Sequence, residues 1–150
     1  MKATQKIKKL LWPNDFSKCS EEALPHVRSL AKQYGAVVHV LYIAEDLAHH
    51  ESWYGEFDSS HIDRILERGI NKARQRQQSF CREHLEDWAA YKTHIEIGDP
   101  TTKILEFIEK EKVDMVVMCR RGKTGSFDMG GVAQKVVAHS PVPVFVTPNS

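Results

Sequence analysis

The segment Arg120-Arg121-Gly122-Lys123-Thr124-Gly125-Ser126-Phe127-Asp128-Met129-Gly130-Gly131 concentrates the residue types that could do chemistry in this chain. It lies between an apolar run, Asp114 to Cys119, that predicts a strand and a helical pattern at Val132, Ala133, Val136 and Val137. Glycine lacks a Cβ, so backbone N–H groups in such a turn can come close to a phosphate at the start of the following helix. Arg120, Arg121 and Lys123 supply countercharge. The chemistry this predicts is capture of a nucleotide phosphate, and the alternative is an ordinary surface loop with solvated cations.

Better-known phosphate motifs do not fit. Gly122-Lys123-Thr124 has the ending of a P-loop, but the position five residues before Gly122 is Val117 instead of glycine. No G-x-G-x-x-G follows the first strand, which argues against NAD. His49, His50, Glu51, Asp58 and His61 match no metal-ligand spacing and read as solvated loop residues, so no metal site is assigned. No G-x-S-x-G and no helical carboxylate pair marks a hydrolase, and no catalytic residue is assigned. Cys19, Cys81 and Cys119 are far apart in sequence and form no C-x-x-C, which predicts buried free thiols. A second reading makes Cys119, beside two arginines, a redox sensor.

The elements that must position these residues follow from periodicity. Ile7 to Trp12 predicts β1, ended by Pro13, and Ser17 or Ser20 can cap a first helix whose apolar face is Ala23, Leu24, Val27, Leu30 and Ala31 and whose stop is Gly35. Pro25 should remove one backbone hydrogen bond and bend the start of that helix. Ala36 to Ile43 predicts β2. Residues 45–59, with Trp53, Tyr54 and Phe57, read as a long connection that could act as a lid, and a long helix starts at Ser60. Tyr91 to Ile97 predicts β3, Gly98-Asp99-Pro100 a turn that opens a third helix, Val113 to Cys119 β4, and Val142 to Thr147 β5 after a fourth helix.

This alternation predicts one α/β domain, a Rossmann-like, doubly wound, five-stranded parallel sheet with four helices on its two faces. The winding order 3-2-1-4-5 puts β1 beside β4 and opens a ligand crevice at their carboxyl ends. Pro13, Asn14 and Asp15 then face the glycine segment. Asp15 can accept hydrogen bonds from a base or ribose, or cap a helix, while Ile43 supplies an apolar wall. Met118 and Cys119 at the end of β4, with Arg121 and Gly122 after it and Gly130, Gly131 and Val132 at the next helix, complete the expected nucleotide site. Pro143 cannot donate to a ladder, which puts β5 at a sheet edge and predicts a homodimer through Val142, Val144 and Val146. A chain of 150 residues with 41% hydrophobic residues and a formal net charge of +1 has core enough for one domain and no field that selects nucleic acid. The expectation is a cytoplasmic protein without a membrane span.

Several segments together resemble the universal stress protein family: Ile7 to Ser17 its opening strand and loop, Val40-Leu41-Tyr42-Ile43 its second strand, Gly98-Asp99-Pro100 its turn after β3, and Ser140 to Val144 its closing segment. ATP-binding members carry a glycine, two residues, a second glycine, nine residues, then glycine followed by Ser or Thr. Here Cys119 stands at the first glycine, Gly122 at the second, and Gly130 at the third, after seven residues instead of nine, with Gly131 in place of the hydroxyl residue. The resemblance implies that Asp15 and Ile43 contact adenine or ribose and that Gly122, Gly130, Gly131 and Val132 line the phosphates. It implies a homodimeric regulatory or protective module of the stress response with weakened ATP binding, Mg²⁺ accompanying the nucleotide, a regulatory protein partner, and slow ATP hydrolysis at most. The competing expectation is a dimeric interaction module without nucleotide, its crevice closed by Cys119, Arg120 and Arg121.

Overall fold

A computed structural model of the chain describes residues 4–44, 59–120 and 129–148, with the backbone alone over 59–63. Strand β1 (Lys9–Pro13) owes its central place to Leu10, Leu11 and Trp12, all fully buried, as a strand covered on both faces requires. Helix α1 (Lys18–Glu22) starts at Ser17, whose side chain accepts the Ser20 N–H at 3.2 Å. Pro25 has no N–H, and in a continuous helix its ring would meet the carbonyl of Glu21. The expected bend is therefore a break at Ala23, and Pro25 lies in the first turn of a separate α2 (Leu24–Tyr34). Gly35 ends α2 at φ +63° and donates its N–H to the Ala31 carbonyl, a left-handed stop that suits a residue without Cβ.

Next come β2 (Val37–Ala44), α3 (Ser59–His84) and β3 (Tyr91–Ile97). Asp99 then caps α4 (Pro100–Glu111), accepting from the Thr102 N–H at 3.0 Å and its hydroxyl at 2.9 Å, and these two bonds hold the Asp99 carboxyl below its usual range. Strand β4 (Met115–Cys119), α5 (Gly131–His139) and β5 (Val144–Thr147) follow. The elements thus follow the expected alternation, with the first helix divided in two. Strands β4 and β5 start two residues later than the apolar runs suggest.

All strand pairs are parallel and the order is β3-β2-β1-β4-β5. Alternate side chains feed two cores. Leu10, Trp12, Val38, Val40 and Val117 pack under α2 and α3 with Val27, Ala31 and Cys81. On the other face Leu11, Leu41, Val116 and Met118 pack under α4 and α5 with Ile104, Phe107, Ile108, Ala133 and Val136. At the amino ends of β1 and β4 the Asp114 carboxylate accepts the N–H groups of Lys8 and Lys9, both at 2.9 Å, and the Asp114 N–H donates to the Lys9 carbonyl. These bonds align the two strands and so bring their carboxyl ends together.

Two histidines occupy the second face. His39 Nδ1 and His94 Nε2 lie 2.9 Å apart, the rings stacked at 5.1 Å with Phe107 edge-on to both. Burial pushes both imidazoles below their ordinary value, and at His39 the neighbouring His94 adds to the effect. A folded-state pKa below the unfolded one means that the unfolded chain takes up protons first on acidification. Stability is therefore complete above about pH 6.5 and declines below it. We expect the urea midpoint to fall between about pH 7 and pH 5, and His94→Gln, which keeps a polar partner for His39, to flatten that slope. An unchanged slope in the variant would remove the pair as its source.

Candidate functional site

The helix after β1 covers one face of the sheet and the helix after β4 the other, so the chain parts at the carboxyl ends of β1 and β4, the winding switch where folds of this kind open a crevice. The loop that leaves β1 is tightly specified. The Asn14 N–H donates to the Leu41 carbonyl at 2.9 Å, which ties the loop to β2. Asn14 Oδ1 accepts the Phe16 N–H and the Ser20 hydroxyl, each at 2.9 Å. Because a backbone N–H can only donate, the first of these fixes which way the amide faces. Asn14 is 2% exposed, and its Nδ2 has no hydrogen-bond acceptor among the described residues. Half-buried Asp15 uses Oδ1 to accept the Ser17 N–H at 2.9 Å. Asp15 thus forms a turn ahead of the helix, and the cap itself is Ser17.

The two turns hold Phe16 at φ +62°, a conformation that bulky side chains rarely adopt. Its ring packs on Tyr42 at 5.1 Å with the Arg76 guanidinium 4.4 Å from the ring centre. Phe16, Tyr42 and Arg76 were not among the expected site residues. The Asn-Asp pair ahead of a serine cap was the available signal for the turns, whereas the meeting with Arg76 of α3 is purely tertiary.

At the end of β4, Met118 and Cys119 are buried and the Arg120 N–H donates to the Thr147 carbonyl at 2.9 Å. The Gly130 N–H donates back to the Arg120 carbonyl, also at 2.9 Å, so the amino end of α5 stands beside the end of β4. Arg121 and Gly122 lie outside the described residues, as do Lys123 and the 45–58 connection with His49, His50, Trp53, Tyr54 and Phe57. Gly130 is the N-cap of α5, and the first backbone bond of that helix runs from the Gln134 N–H to the Gly130 carbonyl. The N–H groups of Gly131, Val132 and Ala133 therefore have no acceptor within the helix. Among the described residues, a Cβ at Gly131 would meet nothing within 4 Å. Ile43 is half-buried against the second core, two residues beyond Leu41, whose carbonyl holds Asn14.

The cysteines correct an expectation. Cys19 of α1 and Cys119 at the end of β4 form a disulfide with their Cα atoms 5.8 Å apart, and only Cys81 is a free buried thiol, pushed up to about 11 by burial. Distance along the chain had argued against a bond, but α1 packs beside the end of β4. Among the described residues no group of three or more His, Cys, Asp or Glu could hold a metal ion, and no helix is long and apolar enough to cross a membrane.

A doubly wound parallel sheet whose winding reverses between β1 and β4 defines the class of α/β folds that place ligands at a winding switch. Residues 6–148 match the model of the universal stress protein family, and the chain belongs to that family. Universal stress protein MJ0531 of Methanocaldococcus jannaschii is 32% identical over 143 residues, covering 93% of this chain and 81% of that one. The solved structure of protein MJ0577 from the same organism superposes with a TM-score of 0.81 at 25% identity, covering 97% of this chain and 99% of the other. A universal stress protein family member from Arabidopsis thaliana, solved with AMP bound, shares the fold at a TM-score of 0.57 and 16% identity, covering 95% and 92% of the two chains.

Proposed function

We propose that this universal stress protein binds an adenine nucleotide in the β1/β4 crevice and acts as a regulatory or protective module in the stress response. The observation that carries the reading is the bond from the Gly130 N–H to the Arg120 carbonyl, which sets the amino end of α5, without a side-chain cap among the described residues, beside the end of β4. Phosphates would lie on the N–H groups of Gly131, Val132 and Ala133 in the positive end of the helix dipole. The Gly130 N–H is already engaged, so Gly130 shapes the approach and leaves donation to the next three residues. Asp15 has a second carboxylate oxygen for a ribose or base donor, Asn14 Nδ2 offers a buried donor, and Ile43 provides the apolar wall. That a relative on the same fold has been solved with AMP bound supports an adenine nucleotide as the ligand.

Binding is weakened relative to a glycine-and-serine site, because Gly131 supplies no hydroxyl and Cys119 carries a Cβ where the family motif has glycine. Pro13, Met118, Arg121 and Gly122 complete the proposed lining, with Mg²⁺ accompanying ATP. No catalytic residue is assigned.

Equilibrium dialysis with ATP and Mg²⁺ tests the reading. Saturable binding is expected, and Asp15→Asn, which keeps the acceptor for the Ser17 N–H, weakens it about tenfold by removing a charged hydrogen bond. Gly131→Ser, for which the described residues leave room, tightens binding by about threefold to tenfold. Absence of binding at millimolar nucleotide would replace the proposal with a dimeric interaction module.

The proposed assembly is a cytoplasmic homodimer through the β5 edge at Val142, Val144 and Val146, with a regulatory protein as its partner. The edge position of β5 and the 39% exposure of Phe145 support it. Val142 and Val144 lean on the second core, so Phe145→Asp disturbs the edge with less effect on folding than Val144→Asp. Light scattering should then report half the wild-type mass, and an unchanged mass would count against this interface.

A further inference from the structure

We propose that Cys19 and Cys119 are a redox modification site, a reversible bond that latches α1 to the carboxyl end of β4. The fold brings together two residues 100 positions apart and sets their Cα atoms at 5.8 Å, inside the range that a disulfide spans. The bond joins the two segments that bound the crevice. Cys19 lies in the helix that opens after the Asn14 turns, and Cys119 is the last residue of β4.

Position favours reversal without unfolding. Cys19 and Cys119 belong to neither core cluster and each keeps 7% exposure, whereas Cys81 belongs to the first cluster and keeps none. Helix α1 is five residues long and separated from α2 by the break at Ala23, so it is a small unit to release. It also has other holds: the Ser17 cap, the bond from the Ser20 hydroxyl to Asn14, and a longer one from the same hydroxyl to the Pro13 carbonyl at 3.4 Å. Opening the bond therefore frees a latch and leaves the core packed. Buried Cys81, with its thiol pushed up to about 11, serves as an internal reference that takes no part.

The oxidant is a hydroperoxide. One cysteine thiolate attacks the peroxide, the O–O bond breaks, water or an alcohol leaves, and a sulfenic acid forms. The second sulfur attacks the sulfenic sulfur, a second water leaves, and the S–S bond closes. Two thiols have then lost two electrons to one peroxide. The reductant is a dithiol, which opens the bond by attack on one sulfur, passes through a mixed disulfide, and leaves as a cyclic disulfide while both cysteines regain their protons. The proposal is independent of nucleotide binding.

The test uses the full chain in its native state. Treatment with hydrogen peroxide or with dithiothreitol, removal of the reagent, and alkylation in denaturant are followed by mass spectrometry. Of the 3 cysteines, the dithiothreitol sample should carry an alkyl group on every one and the peroxide sample on Cys81 alone, with a cross-linked peptide pair containing Cys19 and Cys119. Native dithiothreitol treatment should restore full alkylation, and circular dichroism should show the same secondary structure in both states. In Cys19→Ser no intramolecular cross-link forms. Full alkylation after peroxide, a cross-link to Cys81, or a bond that yields to dithiothreitol only in denaturant would overturn the proposal.

Discussion

Opening the Cys19–Cys119 bond should lower the melting temperature by about 10 °C or more. The two sulfurs close a loop with a sequence separation of 100, and in the chain-entropy account a cross-link of that span restricts the unfolded ensemble by roughly 4 to 5 kcal/mol. For a chain of 150 residues each kcal/mol moves the midpoint by about 2 to 4 °C. Scanning calorimetry with and without dithiothreitol gives the number directly, and Cys19→Ser without any reductant should match the reduced wild type. A difference of less than about 3 °C would show that the cross-link leaves the unfolded ensemble nearly unrestricted.

Trp12→Ala should cost about 3 to 5 kcal/mol, enough to unfold much of a marginally stable domain. Trp12 lies in the central strand with no exposure, in the core beneath α2 and α3, and its ring is 5.9 Å from that of Phe80. No partner helix can move in to fill the space without leaving its own contacts. Trp12→Phe is the informative contrast. The indole Nε1 is buried without an acceptor among the described residues, so phenylalanine removes a donor that earns nothing while keeping most of the ring. Its cost should be about 1.5 kcal/mol or less by urea denaturation. A larger loss would mean that the indole N–H has a partner in the folded protein.

What could be read from the residues in order is what depends on near neighbours. Apolar β-branched runs gave the strands, Pro25 marked a disturbance in the first helix, Gly35 and Pro100 marked a stop and a start, and Pro143 placed β5 at the edge. The alternation of strands and helices then predicts the winding order, and the sheet order β3-β2-β1-β4-β5 agrees with it. Features made through space were not legible. The Cys19–Cys119 pairing, the stacking of His39 on His94 across two strands, and the placement of Arg76 over Phe16 each require the folded arrangement. The break at Ala23 lies between these cases: Pro25 announced it, but only packing decides whether a helix bends or parts. Asp15 shows the same division, since its residue type suited either a ligand or a turn and one of its oxygens serves the turn.

The bond between Gly130 and Arg120 also bears on the unusual spacing of the glycine motif. It acts as a clasp at the base of the intervening segment, so the number of residues above it can change while the anchors below stay put. Seven residues separate Gly122 from Gly130 where ATP-binding members of the family have nine. Loop-closure entropy grows only with the logarithm of length, and a difference of two residues in such a loop amounts to a few tenths of a kcal/mol. The start of α5 is therefore held by the Gly130–Arg120 bond and does not depend on the spacing of the motif.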